Sequence, residues 1–155
     1  MSGRVDKRLK ELGIELPNPS TPAANYVPYV IAGNLLLISG QVTVWNGEIK
    51  YRGKLGKDFG IEEGYQAARL CALNVLAQAR AACHGDLDRI KRCVKVSGFV
   101  NAAPDFTDHP KVLNGASDLL VEILGDAGRH VRFAVGAASL PMNVAVEIDG
   151  TFEIA

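Results

Sequence analysis

Residues 128–155 read GRHVRFAVGAASLPMNVAVEIDGTFEIA, and the two apolar runs in this stretch decide the fold. Branched and aromatic residues alternating with small or polar ones predict strands over 131–138 and 144–154, joined by SLPMN. Charged residues interrupt both runs, Arg132 in the first and Glu147 in the second. Alternation places Val131, Phe133, Val135 and Ala137 on one face and Arg132, Ala134 and Gly136 on the other. In the last strand Val144, Val146 and Ile148 share a face, opposite Ala145, Glu147 and Asp149. If the two strands pair, Arg132 and Glu147 both project from the face away from any helices, a register the pattern does not fix. One reading is a weak cross-strand ion pair or two solvated side chains. The other is a site: a guanidinium fork matches a carboxylate, and a glutamate can hold a water or move a proton. That combination suits hydrolysis of a small carboxylate compound.

Working back from this stretch, 111–125 has the helical spacing of Val112, Ala116, Leu119, Leu120 and Ile123, after a loop over 104–110. Residues 91–102 read as a strand with Val94, Val96 and Phe99 on its apolar side. The segment 61–83 is a long helix whose stripe of Ala68, Cys71, Ala72, Val75, Ala79 and Ala82 suits close packing on a sheet. Before it, 26–44 contains two strand-like runs separated by AGN, a hairpin signal, and Asn46-Gly47 marks a further turn. Pro28 places the first run at an edge or bulge. Gly40, Gly98 and Gly136 lie in strands, where glycine marks a bulge or a close approach. At the N-terminus, Arg4–Leu12 is an amphipathic helix stopped by Gly13, followed by the proline-rich 17–25. The order ββ(β)αβαββ predicts an α+β layer, two helices on one face of a mostly antiparallel sheet.

Composition narrows the function classes. The chain has 155 residues, one domain by length, and 17 basic residues balance 17 acidic ones. No basic run suggests nucleic acid as the main partner. No apolar run suits a membrane span or a signal peptide, so the expectation is a cytoplasmic protein. Cys71, Cys83 and Cys93 lack metal-ligand spacing and read as buried free thiols; His84, His109 and His130 are scattered, so no metal is expected. His130 reads as a strand-end surface histidine.

Four segments, VPYV, LLISGQV, VRFAVGAASLP and VAVEIDGTFEI, together resemble the Rid/YjgF family of imine deaminases, over about residues 25–155. The version with HVRFAVGAASLP and a longer N-terminus is similar to a less characterised branch, labelled endoribonucleases or translation inhibitors. The resemblance implies a chorismate-mutase-like fold with residues 25–155 as the domain and 1–24 as an N-terminal helix and arm. It also implies a homotrimer with a barrel-like centre and clefts between subunits, and hydrolysis of reactive 2-imino acids to 2-keto acids and ammonia. On it, Arg132 binds the substrate carboxylate, Glu147 orients or activates water, and Tyr29 positions or protonates the imine. Ser39, Gly40, Asn114 and Ala134 line the pocket. No cofactor is implied, since the substrate already carries an electrophilic C=N bond. The chain departs from the pattern at Ala134, where many active members carry cysteine. That departure motivates an alternative, a trimeric protein that binds small carboxylates without turnover; RNA cleavage is a third class, opposed by the even charge.

Overall fold

In the computed structural model the described residues are 3–22 and 24–155; residues 1, 2 and 23 of the expected arm lie outside them. Helix α1 (Arg4–Leu12) ends at Gly13 in the left-handed conformation, φ 66°. Its first amides have no cap of their own; Arg4 and Val5 donate instead to the Asp88 carboxylate, at 2.8 and 2.9 Å. These bonds hold the Asp88 pKa below its ordinary value, and Val5 and Leu9 are buried in the main core.

The sheet contains β1 (Tyr29–Ala32), β2 (Leu35–Gln41), β5 (Ile90–Asn101), β6 (Val131–Ala137) and β7 (Val146–Ile154), in the order β1-β2-β7-β5-β6. A small hairpin, β3 (Val44–Trp45) and β4 (Glu48–Ile49), turns at Asn46-Gly47, with φ 48° and 87°. Both positive φ values are those of the tight turn that Asn-Gly favours. Helices α2 (Ile61–Ala82) and α3 (His109–Leu124) cover one sheet face. Every residue of the predicted α2 stripe is buried, as are Val112, Ala116, Leu119, Leu120 and Ile123 of α3. The two helices come very close at Gly115, where a Cβ would stand 1.9 Å from the Tyr65 carbonyl oxygen. The fold is therefore the expected α+β arrangement with a mixed sheet.

Strand neighbours differ from the simplest reading of 128–155. β6 and β7 do not pair: β5 lies between them, antiparallel to β7 and parallel to β6. The connection from β5 through α3 to β6 is a strand-helix-strand crossover, which returns the chain parallel. Arg132 consequently sits level with Val96, a core residue, so it faces α3 rather than the open face. Glu147 sits level with Phe99, on the face away from the helices. Phe99 is 40% exposed and makes an edge contact with Phe133, correcting its expected place on the core side. The extension expected at 144–145 leaves the sheet: Val144 bridges Arg52, and the Ala145 amide donates to the Tyr51 carbonyl.

The sheet face away from the helices is open, with apolar side chains around the polar Glu147, Asp149, Thr151 and Glu153 of β7. It carries Val30, Leu35, Leu37, Phe99, Phe133 and Val135, each between 38% and 50% exposed. The three cysteines are free and buried. Burial raises all their pKa values, that of Cys93 to about 12.

Candidate active site

The predicted residues fall into two groups. Glu147, Ser39 and Gly40 line one cavity of about 580 Å³ at the end of β2. Gly40 is required by the carboxylate itself: a Cβ there would lie 2.3 Å from Glu147 Oε2. The β2–β7 register slips between Ile38 and Gln41, so the strand kinks where Ser39 and Gly40 turn toward the cavity. The Ser39 hydroxyl donates to the Val27 carbonyl at 2.8 Å and its amide to Pro28, fixing the segment that enters β1. Glu147 is half-buried. Burial raises its pKa above the ordinary carboxylate value, and the neighbouring Asp149 charge adds to the effect. Such a carboxylate is a better base than one in water.

Pro141 and Met142 also line the cavity. Their loop is held by Asn101, fully buried, whose amide donates to the Gly53 and Val144 carbonyls and to Asn143 Oδ1 at 3.1–3.3 Å. Lys54 Nζ donates to Asn101 Oδ1 at 2.8 Å and to the Ala138 carbonyl, tying the end of β6 to the same knot.

The second group is Arg132, Ala134 and Asn114. Arg132 Nη1 donates to Ser117 Oγ at 3.0 Å, and Nη2 donates to the Pro110 carbonyl at 3.2 Å. His130 completes the support. Its Nδ1 lies 2.6 Å from the Gly128 carbonyl, which can only accept, so Nδ1 carries the proton. Nε2 is then the acceptor for the Ser117 hydroxyl at 2.9 Å. Burial lowers the His130 pKa, with the Arg132 charge acting the same way and the Gly128 bond opposing, which favours the neutral ring. His130 is thus a half-buried brace and not the expected surface histidine. Asn114 is exposed on α3 one turn before Ser117, and Ala134 is half-buried beside the core.

Within one chain the two groups do not meet. They stand on opposite faces of the sheet, with β5 between their strands. Tyr29 joins neither group: it lies opposite Ile38 on the helix side of β1, half-buried, while its neighbours Tyr26 and Pro28 reach the cavity.

The sequence reading missed the braces Ser117 and His130, and also Gln78, a cavity residue on α2 that is 2% exposed. A signal for Gln78 existed. Residues 71–79 of α2 are buried all round, so Asn74 and Gln78, one turn apart, had to be polar for a reason. Asn74 Nδ2 donates to the Val44 and Leu70 carbonyls at 2.6 and 3.0 Å, clamping the β3–β4 hairpin to α2.

Similarity to known proteins agrees with this architecture. Residues 6–149 match the sequence profile of the family described as YjgF/chorismate mutase-like, putative endoribonuclease. Protein TCP17 of Trypanosoma cruzi is 49% identical over 154 residues, 99% of this chain and 96% of that protein. The crystal structure of Atu1372 from Agrobacterium tumefaciens, a protein of unknown function, matches with TM-score 0.92 at 49% identity, covering 98% of this chain and 93% of that one. The E. coli YjgF gene product matches with TM-score 0.64 at 27% identity, over 88% of this chain and 93% of its own. With nearly its whole length accounted for, this chain belongs to the YjgF/chorismate mutase-like family.

Proposed function

We propose that the protein hydrolyses reactive 2-imino acids to 2-keto acids and ammonia, in a homotrimer whose sites combine residues of adjacent copies. The observation that carries this reading is Glu147: a half-buried, more basic carboxylate held against Gly40 in a cavity large enough for a small metabolite. A braced guanidinium, Arg132, supports it from the other side of the sheet. The exposed apolar side chains on the open sheet face give copies a surface on which to associate. In a closed ring, one copy's Arg132 faces the next copy's Glu147 across the boundary.

In that site Arg132 holds the substrate carboxylate, with Asn114 and Ala134 beside it. Ser39 and Gly40 lie against the C=N group; Tyr29, on the helix side of its own β1, helps position that group only in a site completed by an adjacent copy. Glu147 takes a proton from water as the oxygen adds to the imine carbon. The proton passes to nitrogen, the carbon–nitrogen bond breaks, and R–C(=NH)–COO⁻ plus H₂O becomes R–CO–COO⁻ plus NH₃. The C=N bond is electrophilic enough to need no further activation than this proton management.

The test generates the imine in situ with an amino-acid oxidase and follows its disappearance against spontaneous hydrolysis. The wild type accelerates the loss, and Arg132→Ala and Glu147→Gln each reduce kcat/KM by about a hundredfold. No acceleration by the wild type, or full activity in Arg132→Ala, sinks the proposal. Ala134 favours one second reading, a carboxylate-binding protein without turnover; keto-acid binding in the absence of catalysis identifies it.

A further inference from the structure

The cavity that holds Glu147 extends beyond the reacting group, and beside hydroxyls and amides its walls carry two buried glutamines and no cationic side chain. Between the proline-rich arm and α2 it reaches Gln78, and beside Gly40 it reaches Gln41. Both glutamines are more than nine-tenths buried, at 2% and 6% exposure. Each uses its amide nitrogen within the protein: Gln78 Nε2 donates to the Ser20 carbonyl at 2.8 Å, and Gln41 Nε2 to the Ser39 carbonyl at 3.0 Å. With the nitrogens so engaged, the amide oxygens remain as acceptors for a ligand, open to solvent rather than buried without a partner. The Glu147 carboxylate is a third acceptor, and the lining contains no lysine, arginine or histidine.

The arm is fastened as a wall. The Asn18 amide donates to Asn46 Oδ1 at 2.8 Å, so the Asn-Gly turn grips the arm on one side and Gln78 grips Ser20 on the other. These oxygens are not sealed from solvent, so a ligand that brings N–H groups replaces their water with hydrogen bonds, and one that brings more acceptors or only methylenes leaves them without a partner.

We infer that this cavity receives the substrate's side chain, and that Gln41 and Gln78 select 2-imino acids whose side chain is an apolar stem tipped with N–H donors, such as a guanidinium or ureido group. This rests on the deaminase reading for the position of the reacting carbon, and the same walls would discriminate bound ligands without it.

The experiment compares imines made from arginine, citrulline, 2-aminooctanoate and alanine by a broad-specificity oxidase. Arginine- and citrulline-derived imines are expected to show kcat/KM about tenfold above the alkyl-tipped 2-aminooctanoate imine. In Gln78→Leu that ratio falls close to one; Gln41→Met provides the same comparison if Gln78→Leu does not fold, judged by its melting curve. Equal wild-type rates, a preference for arginine alone, or an unchanged ratio in the folded variant overturns the inference. If no imine is accelerated, the alanine-derived one included, it is the deaminase reading that fails. The cavity is then tested by calorimetric titration with 2-oxo-5-ureidopentanoate and 2-oxooctanoate. Tighter binding of the ureido compound, lost in Gln78→Leu, upholds the selectivity; equal binding, or none, overturns it.

Discussion

Arg132 shows how much support one guanidinium can receive. Its guanidinium is set by Ser117 and Pro110, and Ser117 is set in turn by a neutral His130. Ser117→Ala removes one hydrogen bond to a charged group and frees the fork to turn, while leaving the charge in place. The expected result is a rise of about five- to tenfold in KM for the imino acid with kcat little changed, since Ser117 acts only through Arg132. A loss confined to kcat contradicts that role. Glu147 offers a different measurement. Its raised pKa means the native state holds the proton more tightly than the unfolded chain does. Stability therefore falls as pH rises from the unfolded value through the raised native one, and stays lower above it. Glu147→Gln should melt at a higher temperature than the wild type at pH 7, with the gain gone below about pH 4. A gain that persists unchanged in acid would show that ionisation is not its source.

Among the elements, α2 and α3 depend on closeness. Gly115 lets the α3 backbone lie on the Tyr65 carbonyl, and Gly115→Ala drives a methyl into main chain that cannot rotate away. The expected cost is about 3 kcal/mol, read from chemical denaturation, and a cost under a few tenths would mean the helices can part without penalty. These helices and their buried stripes are legible in the sequence because a 3.6-residue period reports burial directly. The hairpin and the Asn46-Gly47 turn are legible for a similar reason, since the turn chemistry is local. Strand neighbours are not. Alternation sorts Arg132 from Phe133, but which of them meets the helices depends on the partner strand, and that partner is set by the crossover through α3. The ordering of β5, α3 and β6 hinted at a parallel pair, whereas the short SLPMN link suggested a hairpin. The candidate site is legible as residue types and not as a place: Arg132 and Glu147 stand out as charges in apolar strands, yet the common face expected for them does not exist in one chain.

At the scale of the whole molecule, that separation makes an experimental prediction. If sites form between copies, Arg132→Ala and Glu147→Gln damage different halves of each site. Unfolding and refolding the two inactive variants together in equal amounts should restore about one quarter of wild-type sites, the fraction in which both contributing copies carry the needed residue. Mixing that restores nothing, with mixed oligomers demonstrated, would place both residues' work inside one subunit. The sheet also has an asymmetry that bears on Arg132. β7 and β5 each have neighbours on both sides, but β6 pairs only with β5, and in parallel. Within the subunit, the half of its amides that point outward therefore have no ladder to protect them. The strand carrying Arg132 can peel away at a smaller local free energy than the central strand carrying Glu147, which opens only with the core. Amide exchange would register this as fast protons along 131–137 beside slow ones along 146–154. On the proposed reading, Arg132's strand can thus yield as a ligand enters or leaves, without disturbing Glu147 on β7.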